Sequence, residues 1–575
     1  MKNMNVKNST FLLLTLMGLA LYSCGGGSTE TVTEANMSSK EINNSGDIYE
    51  GIEFDMPKVK EPEFPDNEVN IVDFGAKGDG IFDNSEAFEK AMQAIVEKGG
   101  GKVIVPRGIW MTGPIVFQSN VNLHVEDGAL IRFSEDKSKY PLVETSFEGL
   151  ETYRCLSPIS GKDLENIAIT GKGVIDGSGD VWRPVKKSKM ASSAWDRLVK
   201  SGGVLSGDGK TWYPSKAYEE ANKLTDNFNV PPFKTKEEFM KVKDFLRPVM
   251  VSFVNCKKVL LDGPTFQNSP AWNLHPLMCE DVTIRNLTVR NPWYSQNGDG
   301  LDLESCKNVV IYNNSFDVGD DAICFKSGKN EDGRKRGMAT ENVIVTNNVV
   351  YHGHGGFVVG SEMSGGVKNV HVSNCTFIGT DVGLRFKSTR GRGGVVENIH
   401  ISDIHMIDIP TEAIKFNMFY EGQSPILEED QDPVESDSEL EPVTEETPSY
   451  RNIHMKNIWV TSSKTGAFFQ GLPEMKLENV SLENAVLEAE NGITMIDSDN
   501  IKLKNVKVIQ KKGKALTIFN SSNVSLDDFS GNPEDNKVVR VLGSGSSNIN
   551  LKSSGLSADQ LSTGTNVSKK AIHFH

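Results

Sequence analysis

Three aspartates fall at matching points of two successive repeats of this chain. One belongs to Asn297-Gly298-Asp299 and two belong to Gly319-Asp320-Asp321. A histidine in Gly353-His354-Gly355 follows one repeat later, and Arg385-Phe386-Lys387 follows in the repeat after that. If the repeats stack on one another, all of these reactive side chains meet. Clustered carboxylates beside a histidine and two cations predict acid–base hydrolysis of an anionic substrate.

Aligning the repeats on a shared serine gives the cluster an internal order. Asp299 then lies one rung below Asp321, and rungs of a parallel sheet are about 4.8 Å apart. Two such carboxylates can hold and deprotonate one water, while Asp320 is placed to give a proton to a leaving oxygen. Neighbours on a regular strand face opposite sides, so Asp320 and Asp321 share a site only if the strand ends or bulges there, for example at Gly319.

The remaining reactive residues fall into neighbouring columns. His354 shares the column of Asp320 and is predicted to hydrogen-bond the acid or the leaving sugar. Arg385 and Lys387 suit a substrate carboxylate, and Lys326 shares the column of Lys387. The basic residues of 329–336 either widen this positive region or form a solvated charged loop.

These residues require a scaffold that repeats, and the sequence supplies one. The phrase Asn-Val/Ile-x-Ile/Val-x-Asn recurs, mostly at spacings of 21 to 34 residues. Each unit carries short alternating strands and cannot bury its own apolar face, so the pattern predicts an all-β fold, a parallel β-helix. The repeated asparagines predict a ladder at one turn, or turn chemistry alone. The repeats begin at Asn166, Lys258, Asp281, Asn308, Asn342, Asn369, Asn398, Asn452, Asn479, Asn500 and Asn523.

The start of the repeat region has a different pattern. A strand and turn over 70–76 precede residues 84–98, which carry apolar side chains at helical spacing. A strand over 103–105 follows. We expect the helix to cap the open end of the β-helical stack.

Two segments interrupt the repeats. Residues 178–247 show helical patterns near 214–223 and 235–246, and their aromatic side chains either wall one end of a cleft as sugar platforms or form a small packed core. Residues 421–449 are acidic and contain no Lys or Arg; they are predicted to be a solvated loop, with a calcium site as the alternative. The aromatic residues of the first insertion are Trp182, Trp195, Trp212, Tyr213 and Tyr218.

Bulk composition narrows the range of functions. The chain has 575 residues, 38% of them hydrophobic, and a formal net charge of -16. Such a charge argues against a nucleic-acid partner. Cys256, Cys279 and Cys306 lie at equivalent repeat positions, so they are predicted to stack as a buried ladder. No C-x-x-C pair supports a metal site, and no metal or cofactor is predicted.

The N-terminus has the pattern of a targeting segment. Two lysines precede an apolar run over 11–21, which is too short to span a bilayer. Residues 1–23 are predicted to be a signal peptide with a bacterial lipobox, so that Cys24 is lipidated; plain signal-peptidase cleavage is the alternative. Residues 24–66 are predicted to be a flexible tether and 67–570 the β-helical domain. The protein would then be extracytoplasmic, anchored in a membrane and facing the periplasm or the cell surface.

The four ordered motifs resemble the signature of the polygalacturonases, the family 28 glycoside hydrolases. That family carries N-T-D, G-D-D, G-H-G and R-I-K in this order. This chain has Gly298 in place of the threonine and Phe386 in place of the isoleucine, and neither change removes a reactive group. The similarity extends from about Val69 to Gly555.

The resemblance implies a right-handed parallel β-helix that hydrolyses pectic galacturonan with inversion. It implies that Asp320 is the general acid, that Asp299 and Asp321 activate the water, and that His354 assists. Substrate binding is implied for Arg385 and Lys387, with Asn297, Lys326 and Tyr420 as further contacts.

Other functions remain open from the sequence. A pectate lyase of the same fold would need calcium carboxylates and a basic residue as the base. A rhamnogalacturonan or xylogalacturonan hydrolase would share the catalytic residues. A non-catalytic β-helical binding protein would need none of them. The aromatic insertion hints at exo action by blocking one end of the cleft.

Overall fold

The computed structural model describes residues 47–420, 440–533, 536–552 and 555–575. The predicted signal peptide, the lipidation site Cys24 and most of the acidic loop lie outside these residues. From Ile48 onward the chain forms one unit, built from stacked coils whose strands pair in parallel with the next coil. The predicted parallel β-helix is therefore confirmed.

Each coil contributes strands to three sheets, because hydrophobic side chains alternate along each strand and point into one shared core. The front sheet comprises Ile115–Val116, Ile159–Lys162, Val251–Val254, Leu274–Leu277, Leu301–Glu304, Asp321–Lys326, Gly355–Val359, Val382–Lys387, Val539–Leu542 and Leu561–Thr563. The second sheet comprises Glu68–Asn70, Gly101–Val105, Val121–Val125, Glu165–Gly171, Lys257–Asp262, Glu280–Arg285, Lys307–Tyr312, Thr340–Thr346, Ser547–Lys552 and Ile572–Phe574.

The third sheet closes each coil. Its strands are Gly108–Thr112, Ala129–Phe133, Val174–Asp176, Thr265–Gln267, Thr288–Arg290, Ser315–Asp317 and Val349–His352. Towards the C-terminus, longer strands continue around more than one sheet: Val367–Ile378, Val395–Asn417, Ser449–Gln470, Leu477–Ile496, Ser498–Phe519 and Ser522–Gly531.

The predicted capping helix spans Ser85–Glu97. Its buried side chains Phe88, Ala91, Met92 and Ile95 pack against the first coils, as the helical spacing predicts. This contact covers the apolar end of the core, which the first coil would otherwise expose to water. No helix in the described ranges is long and apolar enough to cross a membrane.

The first insertion folds into short helices and strands around its own aromatic core. Trp182, Trp195, Trp212 and Tyr218 are all at most 7% exposed, so the packed-core alternative is correct and the sugar-platform alternative is wrong for them. The helices are Ser192–Lys200, Lys216–Ala221 and Lys236–Met240. The antiparallel strands are Val185–Lys186, Val204–Leu205 and Thr211–Tyr213, and a separate hairpin before the insertion pairs Leu142–Phe147 with Leu150–Cys155.

The predicted ladders of asparagine and cysteine are both present. Side chains of the column that starts at Asn308 bond from coil to coil, and these asparagines adopt positive φ angles near 55°. Ladder bonding and turn chemistry therefore both hold for that column. A second, fully buried pair, Asn314 and Asn348, lies inside the turn between the second and third sheets. The cysteine ladder is buried, and the six cysteines of the described ranges are free thiols.

The predicted tether needs one correction. Residues 47–66 lie on the outside of the coils, because their carboxylates pair with basic side chains there. Glu53 lies 2.7 Å from His371 Nδ1, and Glu61 lies 3.2 Å from Arg285 Nη2. The composition of this segment suggested flexibility, but these ion pairs hold its described part in place.

Candidate active site

The catalytic corner is the turn between the third and front sheets. Asp299, Asp320, His354 and Asp381 occupy this turn in four successive coils. The front-sheet strand begins at Asp321, so the end of the regular strand falls between the two aspartates and Asp320 lies outside the alternation of side chains. The predicted condition for both aspartates to face one site is therefore met.

The strand register confirms the predicted columns. Leu301 pairs with Ile323, which pairs with Phe357 in the next coil. This register places Asp299 under Asp321. Asp320 is under His354, whose backbone N–H donates to the Asp320 carbonyl at 2.8 Å.

The three carboxylates converge. Asp299, Asp320 and Asp321 each offer an oxygen, and these three oxygens lie within 4.8 Å of one another. Two hydrogen bonds of about 2.7 Å can join oxygens at such a separation through one water. Asp299 and Asp321 are 3% and 1% exposed, whereas the Asp320 side chain is 23% exposed. The aspartate assigned to the leaving group is thus the most accessible of the three.

Two glycines permit this convergence. A Cβ atom at Gly319 would lie 2.6 Å from the carbonyl oxygen of Pro292, so only glycine lets the two turns approach so closely. A Cβ atom at Gly298 would lie 1.9 Å from Ser295 Oγ. A larger residue at 298, such as the family's threonine, would therefore require Ser295 to move.

His354 is held by two polar neighbours. Its Nδ1 lies 3.1 Å from Asp320 Oδ1, and its Nε2 lies 3.2 Å from the ammonium of Lys189 in the insertion. The hydrogen bond to Asp320 raises the pKa of His354. Burial works against ionisation of Asp320, but the bond and positive charge of His354 outweigh it and lower the pKa of Asp320.

Asp321 is the anchor of the cationic side of the site. Lys387 Nζ lies 2.7 Å from one of its oxygens and Arg385 Nη1 lies 3.1 Å from the other. Burial disfavours the charged form, but these cations together with Lys326 prevail and lower the pKa of Asp321. The ring of Tyr420 lies 5.0 Å from the Lys387 ammonium and 5.8 Å from the Arg385 guanidinium carbon. The structure thus brings together the predicted carboxylate-binding residues and Tyr420.

Asp299 has the opposite electrostatic character. Burial, followed by the nearby charges of Asp320, Asp302 and Asp321, raises its pKa well above the ordinary range. Its Oδ1 is buried and has no hydrogen-bond partner among the described residues. Of the three carboxyls, Asp299 is therefore the one whose surroundings favour the protonated form.

Lys326 does not reach an open surface of the site. It is 4% exposed, and its ammonium lies 2.9 Å from Glu362 and 3.6 Å from Asp302, with the Trp272 ring 5.0 Å away. Its contribution is a buried positive charge beneath the aspartates. The predicted direct contact with substrate has no support from this geometry.

The basic residues of 329–336 form part of a helix, Asn330–Arg336, and most of them join other segments. Arg336 Nη1 lies 2.5 Å from the buried Glu304, and Arg334 lies 3.1 Å from Glu446 at the end of the acidic loop. Lys329 lies 3.5 Å from Glu148. These three cations are therefore engaged in ion pairs with other segments and do not widen the positive region of the site. The prediction of a solvated charge holds only for Lys335, whose side chain is 71% exposed.

Three residues that support the site were not predictable from the sequence. Arg247, at the end of the insertion, is fully buried and donates to the Asn297 side chain at 2.8 Å. Asn291 donates to the Gly298 carbonyl at 3.1 Å, next to Asp299, and Lys189 contacts the histidine. These are single residues outside any periodic pattern, so the sequence carried no signal for them.

The chain matches known proteins over most of its β-helix. The family model described as glycosyl hydrolases family 28 matches residues 186–465, and the model described as rhamnogalacturonase A/epimerase, pectate lyase-like, matches 68–125. Among solved structures, a hyperthermoactive exopolygalacturonase from Thermotoga maritima is 34% identical, with a TM-score of 0.65; the match covers 78% of this chain and 94% of that chain.

Two curated relatives are more distant. An exo-poly-alpha-D-galacturonosidase from Dickeya chrysanthemi is 27% identical over 361 residues, which are 61% of this chain and 57% of that protein. A protein from Vitis vinifera described as a probable polygalacturonase is 27% identical over 375 residues, 63% of this chain and 64% of that protein. The chain thus spans less than two thirds of the length of either curated relative.

Proposed function

The chain belongs to glycosyl hydrolases family 28, and from that premise we propose that it hydrolyses the glycosidic bonds of pectic polygalacturonate. The observation that carries the proposal is the convergence of Asp299, Asp320 and Asp321 beside the cations Arg385 and Lys387. Carboxylates supply acid and base, and the cations suit the carboxylate that every galacturonate residue carries.

In the proposed mechanism Asp320 protonates the leaving oxygen while a water held between Asp299 and Asp321 attacks the anomeric carbon. Of those two, Asp321 is the carboxylate available to accept the proton, because its lowered pKa keeps it ionised, whereas the raised pKa of Asp299 favours its protonated form. The bond from the anomeric carbon to the leaving oxygen breaks as the bond to the water oxygen forms. One proton leaves the water and another joins the leaving group.

Asp320 needs substrate before it can act as an acid, because its pKa is lowered in the free protein. Lys387 and the histidine both favour its ionised form. A bound uronate neutralises the charge of Lys387 and excludes water, and both changes raise the pKa of Asp320. Proton donation is thereby coupled to occupation of the site.

Inversion of the anomeric configuration is part of the proposal and is supported by family membership. The expected first product is the anomer opposite to the bond that was cleaved, seen by proton NMR before mutarotation. Retention as the first observed outcome would instead assign one of the aspartates as a nucleophile.

We also propose exo action. The two relatives whose names specify exo activity support it, and so does the position of the insertion, from which Lys189 and Arg247 reach the catalytic corner. Sizing products over time tests this: a single small product from the start is expected, whereas a ladder of oligomers would indicate endo action.

The decisive experiment compares polygalacturonate with rhamnogalacturonan. Release of reducing ends from polygalacturonate that survives a chelator, with no ultraviolet absorbance from unsaturated uronate, is expected. Cleavage of rhamnogalacturonan alone would change the substrate. Chelator-sensitive release with that absorbance would indicate a lyase, and no cleavage of either would favour a binding protein.

Membrane anchoring through Cys24 is a further proposal, supported by the lipobox-like sequence that ends at this residue. In a bacterial host, the full chain should incorporate labelled fatty acid and sediment with membranes. Cys24→Ala should abolish both properties; a labelled, membrane-bound variant would contradict lipidation at this position.

A further inference from the structure

A polar cavity of about 340 Å³ opens beside Arg385, on the C-terminal side of the catalytic aspartates. The mechanism uses Arg385, but it uses none of the cavity residues that lie on the two coils after Arg385. The residues that matter for its chemistry are Arg385, Asp381, Thr411, Glu412, Lys415 and Lys464. We propose that this C-terminal cavity binds a second galacturonate residue of the substrate chain; the inference rests on the proposed function and extends it.

The cations follow the direction in which the coils stack. Arg385 and Lys415 are direct neighbours in the strand register, one rung apart. Lys464 lies in the following coil, because Glu412 pairs with Thr465. A chain that lies along the stack and places one uronate on Arg385 therefore meets Lys415 and Lys464 next.

The two lysines are presented differently. Lys415 is 26% exposed and is held by Glu412, 2.7 Å away, so its ammonium stays at the cavity wall. Lys464 is exposed, and its ammonium has no carboxylate within 4.0 Å among the described residues. One cation is thus fixed in advance, and the other is available for a carboxylate that the protein does not provide.

The acidic residues of the cavity select the class of ligand. The Asp381 side chain is 46% exposed and offers acceptors for hydroxyl groups, while the lysines offer donors for a carboxylate. A galacturonate residue carries both kinds of group. A bare polyanion such as phosphate would instead be repelled by Asp381 and Glu412, so the set fits a sugar acid better than a simple anion.

The test measures how activity depends on chain length. Digalacturonate fills only the two positions that flank the cleaved bond, whereas trigalacturonate reaches the cavity. Lys464→Gln should lower kcat/KM on trigalacturonate about 5-fold, mainly through KM, and leave kcat/KM on digalacturonate unchanged. The triple variant that adds Lys415→Gln and Glu412→Gln also removes the ion pair at the cavity wall. Its kcat/KM on trigalacturonate should be lower by 10-fold or more.

Lys507→Gln is the matched control, because Lys507 is an exposed lysine two coils beyond that of Lys464 and does not line the cavity. It should leave both substrates unaffected. Equal losses on both substrates for Lys464→Gln, or no loss on either, would overturn the subsite while leaving the proposed hydrolysis intact. Wild-type protein that cleaves no galacturonan would refute the proposed function instead.

Discussion

Asn314 and Asn348 lie inside a turn that is here called the asparagine corner. This corner and the catalytic corner are built from the same coils, yet the stacking of coils has opposite effects on their polar groups. At the asparagine corner Asn348 accepts from the Asn314 side chain at 2.9 Å and donates to two carbonyls at 3.0 Å. At the catalytic corner stacking brings like charges together and leaves Asp299 Oδ1 without a partner among the described residues. One corner satisfies its buried polar groups and the other does not.

This contrast shows where the fold tolerates an energetic cost. A buried amide ladder saturates donors and acceptors, so repetition stabilises it. A repeated carboxylate raises the pKa of its neighbour, so repetition destabilises it while creating acid–base chemistry. Catalytic function is therefore located at the corner where the repeat is least favourable.

Loss of the catalytic acid should have the largest effect on activity. We expect Asp320→Asn to lower kcat on polygalacturonate by about 10²–10⁴-fold, the usual contribution of a general acid. Folding should be retained, because the Asp320 side chain is partly exposed and the amide is isosteric. Circular dichroism and the melting temperature provide the control. A decrease of less than 10-fold would place the acid elsewhere.

The asparagine corner should show the largest effect on stability. Asn348→Ala removes the acceptor for the Asn314 backbone and side-chain N–H groups, and a buried unpaired donor costs about 1–3 kcal/mol. Calorimetry should show a lower Tm with kcat unchanged, because this corner lies on another edge of the coil. A lower kcat at unchanged Tm would contradict the separation of the two corners.

At the catalytic corner, replacing a buried polar residue should raise the Tm instead of lowering it. The raised pKa of Asp299 means that the folded protein binds this proton more tightly than the unfolded chain does. Asp299 therefore costs stability as the pH rises above the ordinary value of about 3.9. Asp299→Asn should raise Tm more at pH 7 than at pH 4 while activity falls. If the Tm of the variant at pH 7 equals or falls below that of the wild type, ionisation of Asp299 does not destabilise the folded protein.

The columns of the site were predictable because strand register leaves little freedom. Once the repeats are aligned, Ile323, Phe357 and Leu384 must stack, and the polar residues that flank them follow. The same logic correctly predicted the cysteine ladder, whereas the capping helix was predictable from the helical spacing of its apolar residues.

Other features depend on tertiary contacts that no period encodes. Arg247 and Lys189 reach the site only after an aperiodic insertion docks on the coils. The order of pKa values among the aspartates depends on the combined effect of charges from several coils. For this reason the sequence could assign proton donation to Asp320 but could not predict that the free protein favours the protonated form of Asp299 over that of Asp320.

A smaller effect tests the link between the acid and the histidine. Asp320→Asn should lower the pKa of His354, because the carboxylate that raises it is lost while burial and Lys189 continue to lower it. Labelled-histidine NMR titration of both proteins measures the change. An unchanged pKa would mean that the two side chains do not interact in solution.

Lys189→Gln should have the smallest effect on activity, and it tests whether the insertion contributes to catalysis. Removing this ammonium, 3.2 Å from His354 Nε2, should raise the pKa of the histidine slightly and change kcat/KM by less than about 5-fold, since an exposed charge is screened. The neighbouring exposed Lys187→Gln is the control and should change neither. A loss of 100-fold would make the insertion part of the catalytic machinery, because screening alone cannot account for so large an effect. The catalytic corner would then depend on an aperiodic segment as much as on the repeat.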